Sequence, residues 1–474
     1  MYKLLLCWRY LLTRYLALVC IISVMLGVAT LIVVNSVMSG FSTKLRERLH
    51  GMLSDVVIDT YGIEEGFDDP QGKMDRIRKD PYLGSRVAAM TQTMETAAML
   101  RYSLNGRTFS RLVRIIGIDP KGRDAVCRYK EFLCSERNRQ SPSFELSPEA
   151  KARQALHHPR PLMPLTNKAP RLGLNDEPEL DPPPQEEFVP VGIVLGHAMT
   201  YWRDPVTKEE DYFLVPGDDV HLTIPTVIDN GAGEAPTYKA VPTRMVVCDY
   251  SKTEMSDYDS NIVFVPLDYL QEIRSMEDRV TSIQIRLKDY SEAKNVTERL
   301  KELFPASYFR VQTWEEMQGP LLSAISVEKG ILNVLLFMII GVAGFGILAI
   351  FSMIVIEKTR DIGILKALGA SSGGVMWIFL GYGLLLGLVG ASLGTGLGLS
   401  ITDQINPIEK LITRISGHDV FPRDVYYFKE IPTDIQAWSV FLVNVGAVAI
   451  AVVFSILPAL RAAVLHPVRA LRYE

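Results

Sequence analysis

The segment 357–370, with the sequence EKTRDIGILKALGA, is a short charged stretch between two long apolar runs, 331–356 and 375–401. Each run exceeds the ~20 residues that a helix needs to cross a hydrocarbon core about 30 Å thick, so both are predicted to span a membrane. The charged segment then lies at one membrane surface. Because it is amphipathic, helix-prone and carries both charge signs, it favours docking of another protein over passage of a solute.

Two further apolar runs, 15–37 and 438–457, contain no charged residue and complete a set of four predicted spans. Basic residues precede the first span and follow the last, which places both termini in the cytoplasm by the positive-inside rule. The connection between the second and third spans is then cytoplasmic too. The basic residues are Lys3, Arg9, Arg14, Arg461, Arg469 and Arg472.

The sequence thus predicts an α-helical membrane protein with four transmembrane helices and a large α+β extracytoplasmic domain inserted between helices 1 and 2. Its predicted segments are the cytoplasmic N-terminus 1–14, transmembrane helix 1 at 15–38, the extracytoplasmic domain at 39–329, transmembrane helix 2 at 330–356, a cytoplasmic helix at 357–374, transmembrane helix 3 at 375–401, an extracytoplasmic loop at 402–436, transmembrane helix 4 at 437–460 and the cytoplasmic C-terminus 461–474.

The inserted domain opens with apolar residues at helical spacing, which predicts that the first helix continues as a stalk. These residues are Phe41, Leu45, Leu49 and Met52. An amphipathic helix that covers the domain fits the same pattern equally well. Beyond it, β-rich runs with a helical pattern at 291–303 predict a mixed or antiparallel sheet. The predicted strands are 55–59, 111–118, 191–195, 220–224, 244–247, 261–265 and 282–287.

The stretch 135–190 differs in composition from the rest of the domain. It holds eleven of the chain's 27 prolines, few aromatic residues and an acidic patch. Such a composition buries too little apolar surface to stay ordered, which predicts a flexible insertion. The insertion either binds a partner or serves as a solvated spacer.

Motifs for catalysis and metal binding are missing from the sequence. It has no G-x-x-x-x-G-K-[ST] phosphate loop, so another chain must hydrolyse any ATP, and this chain is predicted to be non-catalytic and without a cofactor of its own. His157 and His158 lack the H-E-x-x-H spacing, so no metal site is expected. A net charge of −4 argues against a nucleic-acid partner. The uncharged interiors of the spans argue against an ion channel or a proton-coupled carrier.

The positions of cysteines and glycines lead to two structural hypotheses, a disulfide and close helix packing. Cys127 and Cys134 lie close enough in sequence for a disulfide in an oxidising compartment, although spacing alone does not establish the geometry. Glycines four residues apart in the third span predict close approach of another helix, and a similar set occurs in the second span. These glycines are Gly390, Gly394 and Gly398, and Gly341, Gly344 and Gly346.

Several segments together resemble the ABC transporter permeases of the FtsX/MacB type, a group that includes macrolide exporters, cell-division permeases and lipoprotein releasers. The charged segment 357–370, the glycine-rich span after it and the C-terminal segment PALRAAVLHPVRALRYE carry the resemblance to the group. The resemblance is greatest to the lipoprotein-releasing permeases of the Lol system, LolC and LolE. The other matching segments are 36–41, 192–199, 258–273, the segment at Trp314, and 421–432.

The resemblance implies that two permease subunits, identical or paralogous, pair above two LolD-like ATPase subunits that bind ATP and Mg. The segment 357–374 then becomes a coupling helix that fits a groove of the ATPase, and the alternative is a solvated turn. Polar contacts would come from Glu357, Lys358, Arg360, Asp361 and Lys366. Ile362, Ile364, Leu365 and Leu368 would fill an apolar groove. Gly363 would allow close approach, and Gly369 would stop the helix before Ala370.

The resemblance also places a substrate cleft between the outer halves of the first and second spans. Exposing an acyl chain to water costs about 0.8 kcal/mol per CH₂, so extraction of several chains requires ATP. For each single residue, ordinary span packing or lipid contact is the alternative. The implied cleft consists of Ile32, Val33, Val37, Met38 and Phe41 opposite Ile331, Val334, Leu335 and Met338.

The implied function is extraction of lipoproteins from the outer leaflet of the inner membrane by mechanotransmission, with the large domain in the periplasm. A periplasmic lipoprotein carrier is an implied partner, but the proline-rich stretch 135–190 departs from the family and leaves carrier contact open. One alternative is an FtsX-like signalling permease that activates a periplasmic partner. Another is MacB-like export of a different substrate.

Overall fold

The computed structural model describes residues 15–61, 66–104, 106–157, 190–203, 210–228, 237–416 and 430–466. The chain divides into two compact units. The first, here called the membrane unit, comprises the described residues of 15–47, 319–416 and 430–466. The second, here called the sheet domain, comprises the described residues of 48–318.

Helix α1, Tyr15–Met52, is continuous from the first apolar run into the first residues of the sheet domain. Its sequence is apolar over the predicted span and then changes to a pattern in which Leu49 is buried and Lys44 and Arg46 are exposed. The predicted continuation of the first helix beyond the membrane span is therefore present.

The sheet domain is built on a nine-stranded mixed sheet. Its order is β13-β1-β12-β3-β4-β10-β5-β9-β8; the pairs β4–β10 and β5–β9 are parallel, and the other neighbouring pairs are antiparallel. The strands of the domain are β1 Val56–Thr60, β2 Phe67–Asp68, β3 Val87–Leu104, β4 Arg107–Ile118, β5 Gly192–Gly196, β6 Tyr201–Arg203, β7 Glu210–Tyr212, β8 Asp219–Ile228, β9 Thr237–Ser251, β10 Ile262–Pro266, β11 Arg279–Val280, β12 Ser282–Leu287 and β13 Phe309–Thr313.

The period-two alternation of the strands separates two cores on opposite faces of the sheet. Along β5, for example, Ile193 and Leu195 belong to one apolar cluster, whereas Val194 belongs to another. The helices of the domain are α2 Pro70–Lys79, α3 Leu83–Arg86, α4 Pro120–Val126, α5 Glu136–Gln140, α6 Pro148–His157, α7 Ser256–Asn261, α8 Leu267–Ile273, α9 Ala293–Leu303 and α10 Trp314–Met317.

Residues 135–157 are not a flexible insertion. They form α5 and α6, and Leu146 and Ala150 are buried in the same apolar cluster as Val194. Asn138 donates a hydrogen bond of 2.8 Å to the buried carboxylate of Asp249. These contacts supply the order that the composition alone does not predict. The remainder of the predicted insertion, 158–189, lies outside the described residues.

Cys127 and Cys134 are free thiols, so the candidate disulfide between them is absent. Cys127 is buried in the cluster of Val194, whereas Cys134 packs against the cluster of Ile193 on the opposite face of the sheet. The thiol of Cys127 also lies 3.2 Å from the carbonyl oxygen of Arg123 in α4. Although Cys127 and Cys134 are close in sequence, their side chains therefore do not face each other.

Within the described residues, four helices are long and apolar enough to cross a membrane, and α1 is one of them. The helix that contains the predicted second span starts at Gly319, earlier than predicted, and the predicted coupling helix is shorter than the segment 357–374. The predicted loop 402–436 contains a helix. The helices after the sheet domain are α11 Gly319–Glu357, α12 Thr359–Ala367, α13 Ser372–Asp403, α14 Ile405–Ser416 and α15 Ala437–Val464.

Glycines of α13 let two helices approach closely. A Cβ built on Gly390, Gly394 or Gly398 would lie 2.8, 2.7 and 3.1 Å from atoms of α1, as the four-residue spacing predicts for close helix approach. One turn earlier, Gly383 and Gly387 lie against Ser455 and Ala451 of α15. Of the second set, Gly344 contacts Phe454, whereas a Cβ on Gly341 or Gly346 would meet nothing within 4 Å.

Candidate coupling segment and apolar face

The short helix α12 is attached to the rest of the membrane unit by one apolar side. Ile362 is 3% exposed and packs with Val355, Val375 and Ala462, which come from three neighbouring helices. Gly363 is buried beside it. Ile362 therefore belongs to the internal packing of this chain, and its predicted role in filling a groove of another protein is wrong.

Lys366 also contacts its own chain. Its ammonium group donates to the carbonyl oxygens of Ala463 and Leu465, at 2.6 and 2.8 Å. These carbonyls lie at the C-terminal end of α15, where no further turn of helix satisfies them. Lys366 therefore ties α12 to α15, and it is not one of the polar side chains that α12 presents outward.

Among the other predicted coupling residues, Ile364 and Leu368 are exposed, by 44% and 81%, and Leu365 is half-buried. Glu357 and Arg360 are exposed, while Lys358 and Asp361 form an ion pair of 2.5 Å along the helix. The outward surface of α12 thus combines both charge signs with two large apolar side chains. Such a surface suits docking into a complementary groove.

Two residues fix where α12 ends and α13 begins. Gly369 has φ +96°, a left-handed conformation that favours glycine, and it follows the last helical turn, so it stops the helix as predicted. The hydroxyl of Ser371 then accepts a hydrogen bond of 3.1 Å from the backbone N–H of Gly374 and caps α13. Ala370 lies between them, half-buried.

The predicted cleft residues of α11 form one exposed apolar stripe. Ile331, Val334, Leu335 and Met338 recur at i, i+3, i+4 and i+7 and are 52–64% exposed. The opposite side of α11 packs inward through Leu336 and Ile340, and Ile340 lies 3.3 Å from the Cβ position of Gly27 in α1. The stripe is therefore turned away from α1.

The cleft residues of α1 do not face that stripe within one chain. Ile32 is 1% exposed and packs inside the membrane unit, partly against Gly398, so its predicted place on a cleft surface is wrong. Val33, Val37, Met38 and Phe41 are half-buried. The structure thus brings the α11 residues together on one surface but closes no cleft between them and the α1 residues.

Polar and close backbone contacts join α1 to α11 and to the segment 430–436. The ammonium group of Lys329 in α11 donates 2.8 Å to the hydroxyl of Ser39 in α1. The segment 430–436 crosses α1 so closely that a Cβ on Gly40 would lie 2.5 Å from the carbonyl oxygen of Pro432. The backbone N–H of Asp434 donates 2.9 Å to the carbonyl oxygen of Ser36.

A polar joint at the end of α1, within the sheet domain, is missing from the sequence prediction. The guanidinium of Arg48 donates to the carboxylate and the backbone carbonyl of Glu254, whose φ is +58°. The buried carboxylate of Asp259 holds this loop by accepting from the N–H and hydroxyl of Thr253, at 2.8 and 2.7 Å, and from the N–H of Glu254. Burial raises the pKa of Asp259 to about 6, and these hydrogen bonds oppose the rise.

A second set of contacts completes this joint. The ring of His50 lies 2.8 Å from the carboxylate of Asp55 and stacks on Trp314. Asp55 is 1% exposed and accepts 2.7 Å from the N–H of Leu287, while the N–H of Trp314 donates to its carbonyl oxygen. The end of α1 and the start of α10 are thereby fixed to adjacent strands, β1 and β13. Isolated charged residues in loops give no sequence signal for such a joint.

Among the described residues, no group of three or more His, Cys, Asp or Glu side chains is arranged to hold a metal ion. One buried histidine, His197, contacts the hydroxyl of Tyr212 at 2.8 Å. Burial lowers the pKa of His197 to about 4, so its ring is neutral at pH 7. The ring packs against Tyr201, Tyr212 and Tyr250, which is typical of a core histidine rather than a metal ligand.

Residues 333–467 match the FtsX-like permease C-terminal family. The chain is thus a multi-pass membrane protein that carries an FtsX-like permease domain, as the resemblance indicates. Over almost its whole length it is similar to "Lipoprotein-releasing system transmembrane protein LolC" of Xylella fastidiosa, at 26% identity over 97% of this chain and 94% of that protein.

Another relative is LolE of Haemophilus influenzae, also named as a lipoprotein-releasing system transmembrane protein. It is 24% identical over 95% of this chain and 92% of its own length. The crystal structure of the periplasmic region of MacB from Actinobacillus actinomycetemcomitans matches 59% of this chain and 97% of that chain, at 12% identity and a TM-score of 0.29. This structural likeness is too small to support an argument.

Proposed function

We propose that this chain is the non-catalytic permease subunit of a transporter that extracts lipoproteins from the outer leaflet of the inner membrane. The observation that carries the proposal is similarity over 97% of the chain to a relative named for lipoprotein release. In this proposal a separate, LolD-like ATPase dimer binds ATP and Mg, and hydrolysis moves the helices of two permease chains by mechanotransmission.

The coupling contact is proposed for the outward surface of α12. Arg360 and Ile364 of α12 are exposed there together with the flanking residues Glu357 and Leu368. Ile362 and Lys366 attach α12 to α11, α13 and α15. A force applied to α12 is therefore passed to the membrane helices through packed side chains rather than lost in a flexible loop. This packing supports the proposal that α12 acts as a lever on the membrane helices. A solvated turn would not need such packing.

The substrate surface is proposed for the stripe Ile331, Val334, Leu335 and Met338. Its side chains are exposed in the single chain, and acyl chains are suitable apolar ligands for them. Because the stripe is turned away from α1 of the same chain, a second permease chain must supply the facing wall. Val37, Met38 and Phe41 of that second copy or paralogue are the proposed counterpart.

The test is ATP hydrolysis and cargo release by the permease copurified with its native ATPase in nanodiscs. A triacylated lipoprotein and its unacylated form are compared. We expect binding of the acylated form alone, with its ATP-dependent release. Indifference to both forms in an assembly that still hydrolyses ATP would contradict extraction, and it would favour a signalling permease or export of another substrate.

Leu368→Glu tests the coupling surface separately. Leu368 is 81% exposed, so the substitution changes the outward surface of α12 without disturbing packing. We expect the ATPase to lose its association or its response to cargo by about tenfold, which corresponds to ~1.4 kcal/mol. Substitution of Gly363 by Trp would not test the docking surface, because Gly363 is buried and the variant would disturb the packing of this chain. Normal coupling in Leu368→Glu would exclude this surface as the docking site.

A further inference from the structure

Helix α14 is amphipathic, and it exposes its apolar face while its polar face packs on the chain. Ile408, Leu411, Ile412 and Ile415 recur at i, i+3, i+4 and i+7 and form its apolar face. Leu411, Ile412 and Ile415 are 56%, 44% and 78% exposed. Burial of an apolar face normally stabilises such a helix, so this face requires an apolar environment that the described residues do not provide.

The polar side of α14 is the side that packs on the chain. Glu409 is 8% exposed, and its carboxylate accepts 3.2 Å from the hydroxyl of Thr413. The side-chain amide of Asn406 forms two hydrogen bonds with the backbone of Ile431. It accepts one of 2.8 Å from the N–H and donates one of 3.4 Å to the carbonyl oxygen. These contacts fix the rotation of α14, so its apolar face is held outward.

The position of α14 in the chain places it at a membrane boundary. A single residue, Gln404, separates the end of α13 at Asp403 from the start of α14 at Ile405, and this end of α13 is opposite to α12. Helix α15, the next one among the described residues, starts at Ala437, and Trp438 on its first turn is 69% exposed and stacks with Phe441. Tryptophan at the end of a spanning helix typically marks the interface between lipid and water.

The charges of α14 are complementary to a phospholipid surface. Lys410 and Arg414 are exposed one turn apart, and the acidic residue of the helix, Glu409, is buried. The outward surface of the helix is therefore apolar with a basic flank. Amphipathic helices of this kind lie in the membrane plane, with the apolar face at the acyl boundary and the basic residues near the phosphates.

We propose that α14 is an interfacial helix that lies on the membrane leaflet opposite to α12 and binds its phospholipids. Ile408, Leu411, Ile412 and Ile415 enter the acyl region, and Lys410 and Arg414 contact lipid phosphates. The helix thereby holds the outer end of α13 at a fixed depth. This inference does not depend on which cargo the permease carries.

The test measures the environment of single nitroxide labels in the permease assembled with its ATPase. Labels are attached to cysteines introduced at Leu411, Ile415, Lys410 and Arg414 in nanodiscs of phosphatidylethanolamine and phosphatidylglycerol. Collision rates with oxygen, which partitions into lipid, and with a water-soluble nickel chelate are compared. The assembly without an introduced cysteine gives the background from native thiols. All four positions are exposed, so labelling is compatible with the fold.

We expect collisions of the labels at Leu411 and Ile415 with oxygen to exceed those with nickel by at least threefold, and the ratio to fall at Lys410 and Arg414. Equal or higher nickel collisions at Leu411 and Ile415 would place the face in water and overturn the proposal. Low collisions with both reagents at these positions would show that a protein covers the face, and this result would overturn it as well.

Discussion

Helices α13 and α11 are both long enough to cross a membrane, yet they are packed very differently. Over an 18-residue apolar stretch of each helix, 44% of the residues are buried in α13 and 22% in α11. In α13 glycines face both α1 and α15, so two neighbours approach its backbone. In α11 one side packs on the chain and the other presents large apolar side chains.

The difference in burial indicates that α13 serves mainly the packing of this chain, whereas α11 also offers a surface for other molecules. Without a hydrophobic driving force inside lipid, helices associate through close packing, and small residues allow it. The glycine faces of α13 therefore fix its position in this chain. The side chains of the α11 stripe are 52–64% exposed, so this surface is available for the proposed contacts with cargo and a second permease chain.

The largest effect is expected for Gly394→Leu in α13. A Cβ at this position would lie 2.7 Å from the carbonyl oxygen of Met25, which is backbone and cannot move aside. Overpacking of this kind costs about 1–3 kcal/mol or more, and we expect loss of folded protein or a clearly lower Tm in nanodiscs. Gly396→Leu is the matched control, because a Cβ there meets nothing within 4 Å. An equal loss in both variants would refute the packing argument.

The next largest effect is expected for Val334→Glu on the stripe of α11. Val334 is 63% exposed, so the substitution leaves the packing of the chain intact. A charge on an apolar surface within the span costs up to about 2.5–3.5 kcal/mol, which is sufficient to prevent binding of acyl chains. We expect normal assembly with the ATPase and loss of lipoprotein release, while Val334→Leu retains release. Unchanged release in the glutamate variant would remove the stripe from the substrate surface.

The membrane helices were predictable because their signal is local: ~20 consecutive apolar residues specify a span without reference to the rest of the chain. Strand β12 was predicted at its observed limits, 282–287, because polar and apolar residues alternate along it. The other predicted strands differ from the observed ones at one or both ends. The long strand β3 was missed because Val87–Leu104 is rich in Ala and Met and has no Val or Ile after Val87, so it lacks the usual strand signal. The order of 135–157 depends on contacts with Asp249 and β5, which no local pattern contains.

The sequence predicts a helix where α12 lies, but not the direction of its side chains. The amphipathic pattern located α12, but it could not show that Ile362 packs against Val375 and Ala462 while Ile364 faces outward. Those neighbours are distant in sequence. The role of Lys366 was missed for the same reason, since its acceptors are carbonyls of α15, and a lysine in a charged segment carries no sign of them.

A smaller effect is expected for Lys366→Met in α12. The substitution leaves the carbonyl oxygens of Ala463 and Leu465 without their charged donor. Loss of hydrogen bonds to a charged group costs about 1.5–3 kcal/mol, so α12 should open locally while the four spans stay folded. Hydrogen exchange of 359–367 in nanodiscs measures this opening. Arg360→Met is the control, since Arg360 is exposed, and equal protection in the two variants would contradict the anchoring role of Lys366.

The smallest effect is expected for Gly346→Ala in α11, where the Cβ would meet nothing within 4 Å. Alanine is favoured over glycine in a helix by about 0.5–1 kcal/mol, so the Tm of the chain in nanodiscs should stay constant or rise slightly. The glycine pattern of this span predicts the opposite if another helix packs there. A lower Tm, or weaker association of two permease chains, would therefore show that a second chain covers this part of α11, and α11 would then resemble α13 in the assembled transporter.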